Sequence, residues 1–166
     1  MLSFGEHPIP FVNHLGFTLH KFENGESELR YTAQPEHLNT FEVTHGGASM
    51  TLLDVTMAVA ARSLESDDFG CVTIEMKTSF MQAARGPLVA KGLVLHRTKS
   101  MAYCEGKVYD STGKLCTHAT GTFKYMPRTI KPGQKPGGTQ TVIATDSALG
   151  PVRRAAGLGF RYQIDC

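Results

Sequence analysis

The chain has 166 residues, 41% hydrophobic and 19% charged, with a formal net charge of +2. That is enough for one domain with a true core, and no apolar run approaches the length of a bilayer span. The basic residues gather late (Arg128, Lys131, Lys135, Arg153, Arg154 and Arg161 against Asp146 and Asp165). Nothing in the chain makes the basic, aromatic-studded face of a nucleic-acid binder.

Residues 1–8 lack the basic and apolar regions of a secretory signal. Four cysteines (Cys71, Cys104, Cys116, Cys166) contain no Cys-x-x-Cys pair. Reduced, packed thiols are expected, with no metal centre, and a cytoplasmic protein. Residues 8–16 predict a short helix or turn closing at Gly16. Residues 17–22 read as a strand, Asn24-Gly25 as a hairpin turn, and residues 27–34 as the second strand, stopped by Pro35. A polar loop over 35–45 then delivers His45.

A helix comes next, over 47–64. Ala48, Met50, Leu52, Leu53, Val55, Met57, Ala58, Val59, Ala60 and Ala61 lie on nearly every side of it, so it should be buried over most of its surface. Four strand-like runs come after it, at 71–81, 88–97, 101–109 and 115–126. In the first, Val72, Ile74, Met76 and Phe80 alternate with Thr73, Glu75, Lys77 and Ser79. In the last, Leu115, Ala119, Phe123 and Tyr125 share a face. The short links between runs predict antiparallel neighbours in a four-strand meander. The fold class is therefore α+β: a curved antiparallel sheet wrapped around one long central helix. Residues 1–126 form the domain. Residues 127–166 form an extension whose first part, 127–138, is a linker by its Pro, Gly and charge; one or two helical turns at 147–156 are the most it suggests.

The chemistry concentrates at the helix. Asp54 lies two turns inside an apolar helix. It sits on the solvent edge, pairs with Arg62, or faces a cavity, because an unpartnered buried acid is costly. It comes seven residues after Gly47, which puts both on one face. Gly46-Gly47 is either a turn needing unusual dihedrals or a source of bare N–H groups that polarise a carbonyl at the helix N-terminus. His45 is either a base or a residue that orients Asn39; without a Gly-x-Ser-x-Gly elbow the second is favoured. The other histidines, His96 and His118 among them, show no metal spacing. Arg97, Thr98, Lys99 and Ser100 form a basic turn, either solvated or gripping phosphates. Phe41, Met50, Met57, Phe80 and Met81 suggest an apolar pocket.

Asn39, His45 and Asp54, six and nine residues apart, resemble the motif of hotdog-fold thioesterases, in the branch of the phenylacetate-pathway (PaaI-like) enzymes. The strand Val72-Thr-Ile-Glu-Met-Lys-Thr-Ser-Phe-Met81 and the ending Thr120-Gly-Thr-Phe123 are similar to the same family, and the resemblance covers residues 12–126. It implies an acyl-CoA thioesterase that needs no metal or cofactor. Asp54 would be nucleophile or general base, and the Gly47 N–H the oxyanion donor. Asn39, held by His45, would position water or substrate with the help of Thr73. Gly46, Arg97, Thr98, Lys99 and Ser100 would contact substrate or coenzyme A. The resemblance further implies a homodimer with a composite active site, pairing into a homotetramer, with Ala58, Ala60 and Ala61 at close helix contacts. A hotdog hydratase or dehydratase, or a non-catalytic acyl-CoA sensor or scaffold, are the rivals. The acid inside the helix disfavours the former, and the retained acid the latter. The extension beyond residue 127 departs from the family pattern.

Overall fold

The computed structural model describes Ser3, Phe4 and residues 7–128. The predicted linker beyond Arg128, the turns at 147–156 and Cys166 lie outside the described residues. Two short strands, β1 (Ser3–Phe4) and β2 (His7–Pro8), pair as a small ladder that the local sequence pattern does not announce. Helix α1 (Pro10–Leu15) starts with a proline, whose missing N–H costs nothing at that position. It ends on left-handed Gly16 (φ +78), whose N–H reaches the Val12 and Asn13 carbonyls.

Strands β3 (Thr18–Glu23) and β4 (Glu26–Thr32) flank Asn24 (φ 50) and Gly25 (φ 80). This doubly left-handed pair matches the twist of a tight hairpin. Then come helix α2 (Gly46–Arg62) and strands β5 (Phe69–Phe80), β6 (Pro87–Arg97), β7 (Met101–Tyr109) and β8 (Leu115–Pro127). All sheet pairs are antiparallel, in the order β3-β4-β6-β7-β8-β5.

Two expectations change here. The meander runs only through β6, β7 and β8. β5 pairs with β8 instead of its sequence neighbour β6, while β6 pairs with β4. The link after β5 therefore crosses from the sheet edge to its middle. Its start is tied down by the Cys116 carbonyl, which accepts from the Met81 and Gln82 N–H groups. The alternation in β5 also breaks. The register slips between Thr73 and Glu75, a bulge at Ile74 that reverses the facing of the residues beyond it. Thr73 and Met76 both face α2, whereas Val72 and Ile74 are exposed.

The sheet curls around α2. Leu52, Leu53, Met57, Val59, Ala60 and Ala61 are essentially inaccessible, packed against Leu29, Leu88, Ala90, Ala102, Cys104, Val108, Ala119 and Phe123. Met57 is thus core and not pocket lining. Ala60 and Ala61 are sealed within their own sheet, which leaves only Ala58 of the three open to a neighbour. The approach is close enough to require glycine. A Cβ on Gly106 would lie 2.9 Å from Leu53 Cδ2, and one on Gly92 would lie 2.6 Å from Ser27 Oγ and 2.7 Å from the Thr56 carbonyl oxygen. Ser27 Oγ donates to that same carbonyl at 2.6 Å, and the Tyr125 hydroxyl donates to the Ala61 carbonyl at 3.2 Å. The helix is fixed to the sheet by polar as well as apolar contacts.

Gly92→Ala is expected to lower stability by about 1–3 kcal/mol, since the clash is with backbone and a short side chain. Gly70→Ala, whose Cβ would meet nothing nearer than 3.8 Å, should leave stability nearly unchanged. Chemical denaturation of the two variants in parallel checks the difference.

Candidate functional site

Among the described residues, the wrapping leaves one face of α2 uncovered: Met50, Thr51, Asp54, Val55 and Ala58 are all at least partly accessible. The helix is therefore buried over most of its surface, as its composition suggested, with one side left open. Asp54 sits in the middle of this open face. The Thr73 hydroxyl, on the inward face of β5 with Cys71, donates to Asp54 Oδ1 at 2.6 Å. Burial pushes the Asp54 carboxyl above its ordinary value of 3.8, and the Thr73 bond pulls it partly back. The alternative pairing with Arg62 does not form: Arg62 Nη1 donates to the Ser66 carbonyl at 2.8 Å and Nη2 lies 3.6 Å from Asp67 Oδ1.

Asp54 and Thr73 line a cavity of about 920 Å³ between α2, β5 and α1. Its apolar wall includes Phe11, Val12, Met50, Val55, Val59 and Met76. The contribution of α1 was not anticipated: these residues carry no motif and meet the helix only through the fold. Cys71 also lines the cavity, and burial pushes its thiol up to about 12. It therefore stays protonated and is no nucleophile at neutral pH.

At the start of α2, His45 is the N-cap. Its Nδ1 accepts from the Gly47 N–H at 2.9 Å, which leaves the proton of the neutral ring on Nε2. His45 therefore does not hold Asn39, contrary to expectation. Asn39 is held by its own loop instead: its Oδ1 accepts from Phe41 N at 2.9 Å and Val43 N at 3.3 Å, an Asx turn that closes the segment. The backbone then ties the loop down, with His45 N–H bonded to the His37 carbonyl and Thr44 N–H to the Ala84 carbonyl. Gly46 and Gly47 show no left-handed φ, so unusual dihedrals are not the reason for these glycines. A Cβ on Gly47 would press to 3.1 Å from His45 Nδ1.

Asn39 and Gly46 line a second cavity, of about 260 Å³, with Ser49, Phe80 and Thr117. Within one chain the predicted residues thus fall into two groups: Asp54 with Thr73 in the larger cavity, and Asn39 with Gly46 in the smaller. Phe41 and Met81 are exposed. In the basic turn, Arg97 is engaged by the Glu65 carboxylate and stacks over Tyr125 at 5.5 Å. Thr98 Oγ1 accepts from Ser100 N and Met101 N, closing the hairpin. Lys99 is exposed. Among the described residues no helix is long and apolar enough to cross a membrane.

A sequence profile described as the thioesterase superfamily matches residues 41–117, the span from the Asn39 loop through the start of β8. A Saccharolobus solfataricus protein named "Putative esterase" is 31% identical over 108 residues, covering 64% of this chain and 76% of that one. Among solved structures, a conserved protein of Pseudomonas aeruginosa superposes with a TM-score of 0.67 at 30% identity, covering 70% of this chain and 93% of its own. The Escherichia coli PaaI protein, from the phenylacetic acid degradation operon, superposes with a TM-score of 0.67 at 20% identity, covering 74% and 88%. That last likeness speaks for the fold.

The raised Asp54 carboxyl makes a signed prediction. The native state holds this proton more tightly than the unfolded chain does. Its contribution to stability is full below 3.8 and is lost as pH rises through the native value. Asp54→Asn removes that loss. The variant is expected to gain stability relative to wild type as pH rises from 4 to 7, read from denaturant midpoints at each pH.

Proposed function

The chain belongs to the thioesterase superfamily with the hotdog fold, and on that premise we propose that it is an acyl-CoA thioesterase whose reacting group is Asp54. The observation that carries this reading is the Thr73–Asp54 pair on the wall of the large cavity. Thr73 holds Oδ1 and leaves Oδ2 to take a proton from water or to attack the thioester carbon. A carboxylate raised by burial is a stronger base than an exposed one. The leaving group is a thiolate, so hydrolysis needs no strong acid.

The carbonyl oxygen binds at the α2 N-terminus, where it replaces the His45 imidazole on the Gly47 N–H. The helix dipole favours the developing negative charge there. Asn39, with Oδ1 tied to its own loop, offers its amide N–H groups to water or to the carbonyl. The division of Asp54 with Thr73 and of Asn39 with Gly46 between two cavities supports a composite site, in which Asp54 and Thr73 of one subunit face Gly47 and Asn39 of the partner subunit. β5 supports the same reading. It is a twelve-residue edge strand with Val72, Ile74 and Phe80 exposed, the kind of edge that a second copy covers. Two such dimers would make the homotetramer. Lys99, beside an Arg97 already engaged by Glu65, is the better candidate for the phosphates of coenzyme A. The buried free thiols Cys104 and Cys116 suit a cytoplasmic setting.

Thiol release over a panel of acyl-CoAs tests this reading. Asp54→Asn should fold and assemble but lose about 10²–10⁴ in turnover. Near wild-type turnover by that variant, or stable retention of unchanged acyl-CoA by the wild type, would overturn it. Mixing Asp54→Asn with Asn39→Ala subunits, each inactive alone, should restore activity, because one site of every mixed dimer is then intact. No recovery after verified subunit exchange would place the site within one chain.

A further inference from the structure

The large cavity does not stop at Asp54. It continues toward the C-terminal turn of α2, where Arg62 and Arg128 line it. Asp54 and Arg62 are eight residues apart in one helix, about 12 Å along its axis. The Arg62 guanidinium leans further on, since Nη1 donates to the Ser66 carbonyl. Between the two ends the wall is apolar: Val55, Ala58 and Val59 from α2, Phe11 and Val12 from α1.

Arg62 is 3% exposed, so its charge is withdrawn from water at one end of the cavity. Asp67 stands behind it at 3.6 Å. Among the described residues, the lining carries two guanidiniums at this end, and its one carboxylate, Asp54, is at the other. A guanidinium has five N–H donors in a flat fork, so it can bind a second carboxylate side-on beside its existing partners.

Resting on the thioesterase reading, we infer that this end is a subsite for the far end of the acyl group, and that the substrate is a medium-chain acyl thioester ending in a carboxylate. With the thioester carbon at Asp54, the chain lies along α2 and its terminal carboxylate meets Arg62 and Arg128. The phosphates of coenzyme A are the other anion such a substrate carries. They are more heavily hydrated and costlier to enclose, and the exposed turn around Lys99 suits them better.

The test is thiol release from the N-acetylcysteamine thioesters of octanoic acid and of the eight-carbon dicarboxylic acid, neither of which carries a phosphate. The wild type should favour the carboxylate-ended substrate in kcat/KM by at least about ten-fold, the factor expected of a charged hydrogen bond. Arg128→Gln and Arg62→Gln should each lower that ratio. Arg128 is at the rim, so the test stands even if the enclosed Arg62 variant fails to fold. A preference for the octanoyl thioester would show a channel apolar to its end and overturn the subsite. So would an equal loss on both acyl chains in the corresponding coenzyme A series, which would assign the arginines to the phosphates. If neither thioester is hydrolysed, the two corresponding acyl-CoAs take their place in the same assay; release from neither overturns the thioesterase reading, and calorimetric binding of the two acyl-CoAs then decides the subsite. Tighter binding of the carboxylate-ended one supports it, and weaker binding overturns it.

Discussion

Everything in this molecule depends on how closely α2 lies on the sheet. Where the helix crosses β6 and β7, the strands present Gly92 and Gly106, and even one added carbon would collide with Thr56 or Leu53. Close approach buries Leu52, Leu53, Met57 and Ala60 completely. Their removal from water is worth about 25 cal/mol for each Å² of apolar surface. It also fixes the rotation of the helix about its axis. Once those residues are inside, Met50, Thr51, Asp54, Val55 and Ala58 have nowhere to go but the open side. The acid is therefore placed by the packing of residues that do not line its cavity.

That placement is costly for Asp54. Its carboxyl is partly withdrawn from water and is held by the Thr73 hydroxyl, and the raised pKa measures the imbalance. Local fit that sacrifices stability in this way is characteristic of functional positions. The cavity wall beyond that partner depends on an irregularity. Without the bulge at Ile74, the two-residue period of β5 would not bring both Thr73 and Met76 to the helix side. A single extra residue in an edge strand thus adds Met76 to the cavity wall on the side where Thr73 already holds Asp54.

The α2 N-terminus solves a different problem. Its first N–H groups have no partner within the helix, and His45 satisfies the one at Gly47 through Nδ1. An imidazole is a weaker holder of that donor than an anion would be. The cap keeps the backbone in place, and the proposed reaction has a substrate oxygen carrying negative charge take the place of the imidazole. Asn39 is restrained by its own loop, and His45 by the cap. Two residues whose spacing suggested a bonded pair are thus positioned independently.

The local pattern carried a good deal of this. The Asn24-Gly25 turn, the closing Gly16, the helix and the inward row Ala119, Phe123, Tyr125 were legible because each rests on residues adjacent along the chain or on one periodicity. So was the kinship of Asn39, His45, Gly47 and Asp54, whose spacing is a property of the sequence. The pairing of β5 with β8, the bulge that turns Met76 to the side of Thr73, the cap made by His45 and the role of α1 in the cavity wall were not legible. Nor was the arginine end of that cavity. Each depends on which distant segments share a surface once α2 has been wrapped. The sequence by itself determined which groups could do chemistry. Only the tertiary structure decided which of them face one another, because a helix nearly uniform in its apolar character does not specify its own open side until the sheet has closed on the others.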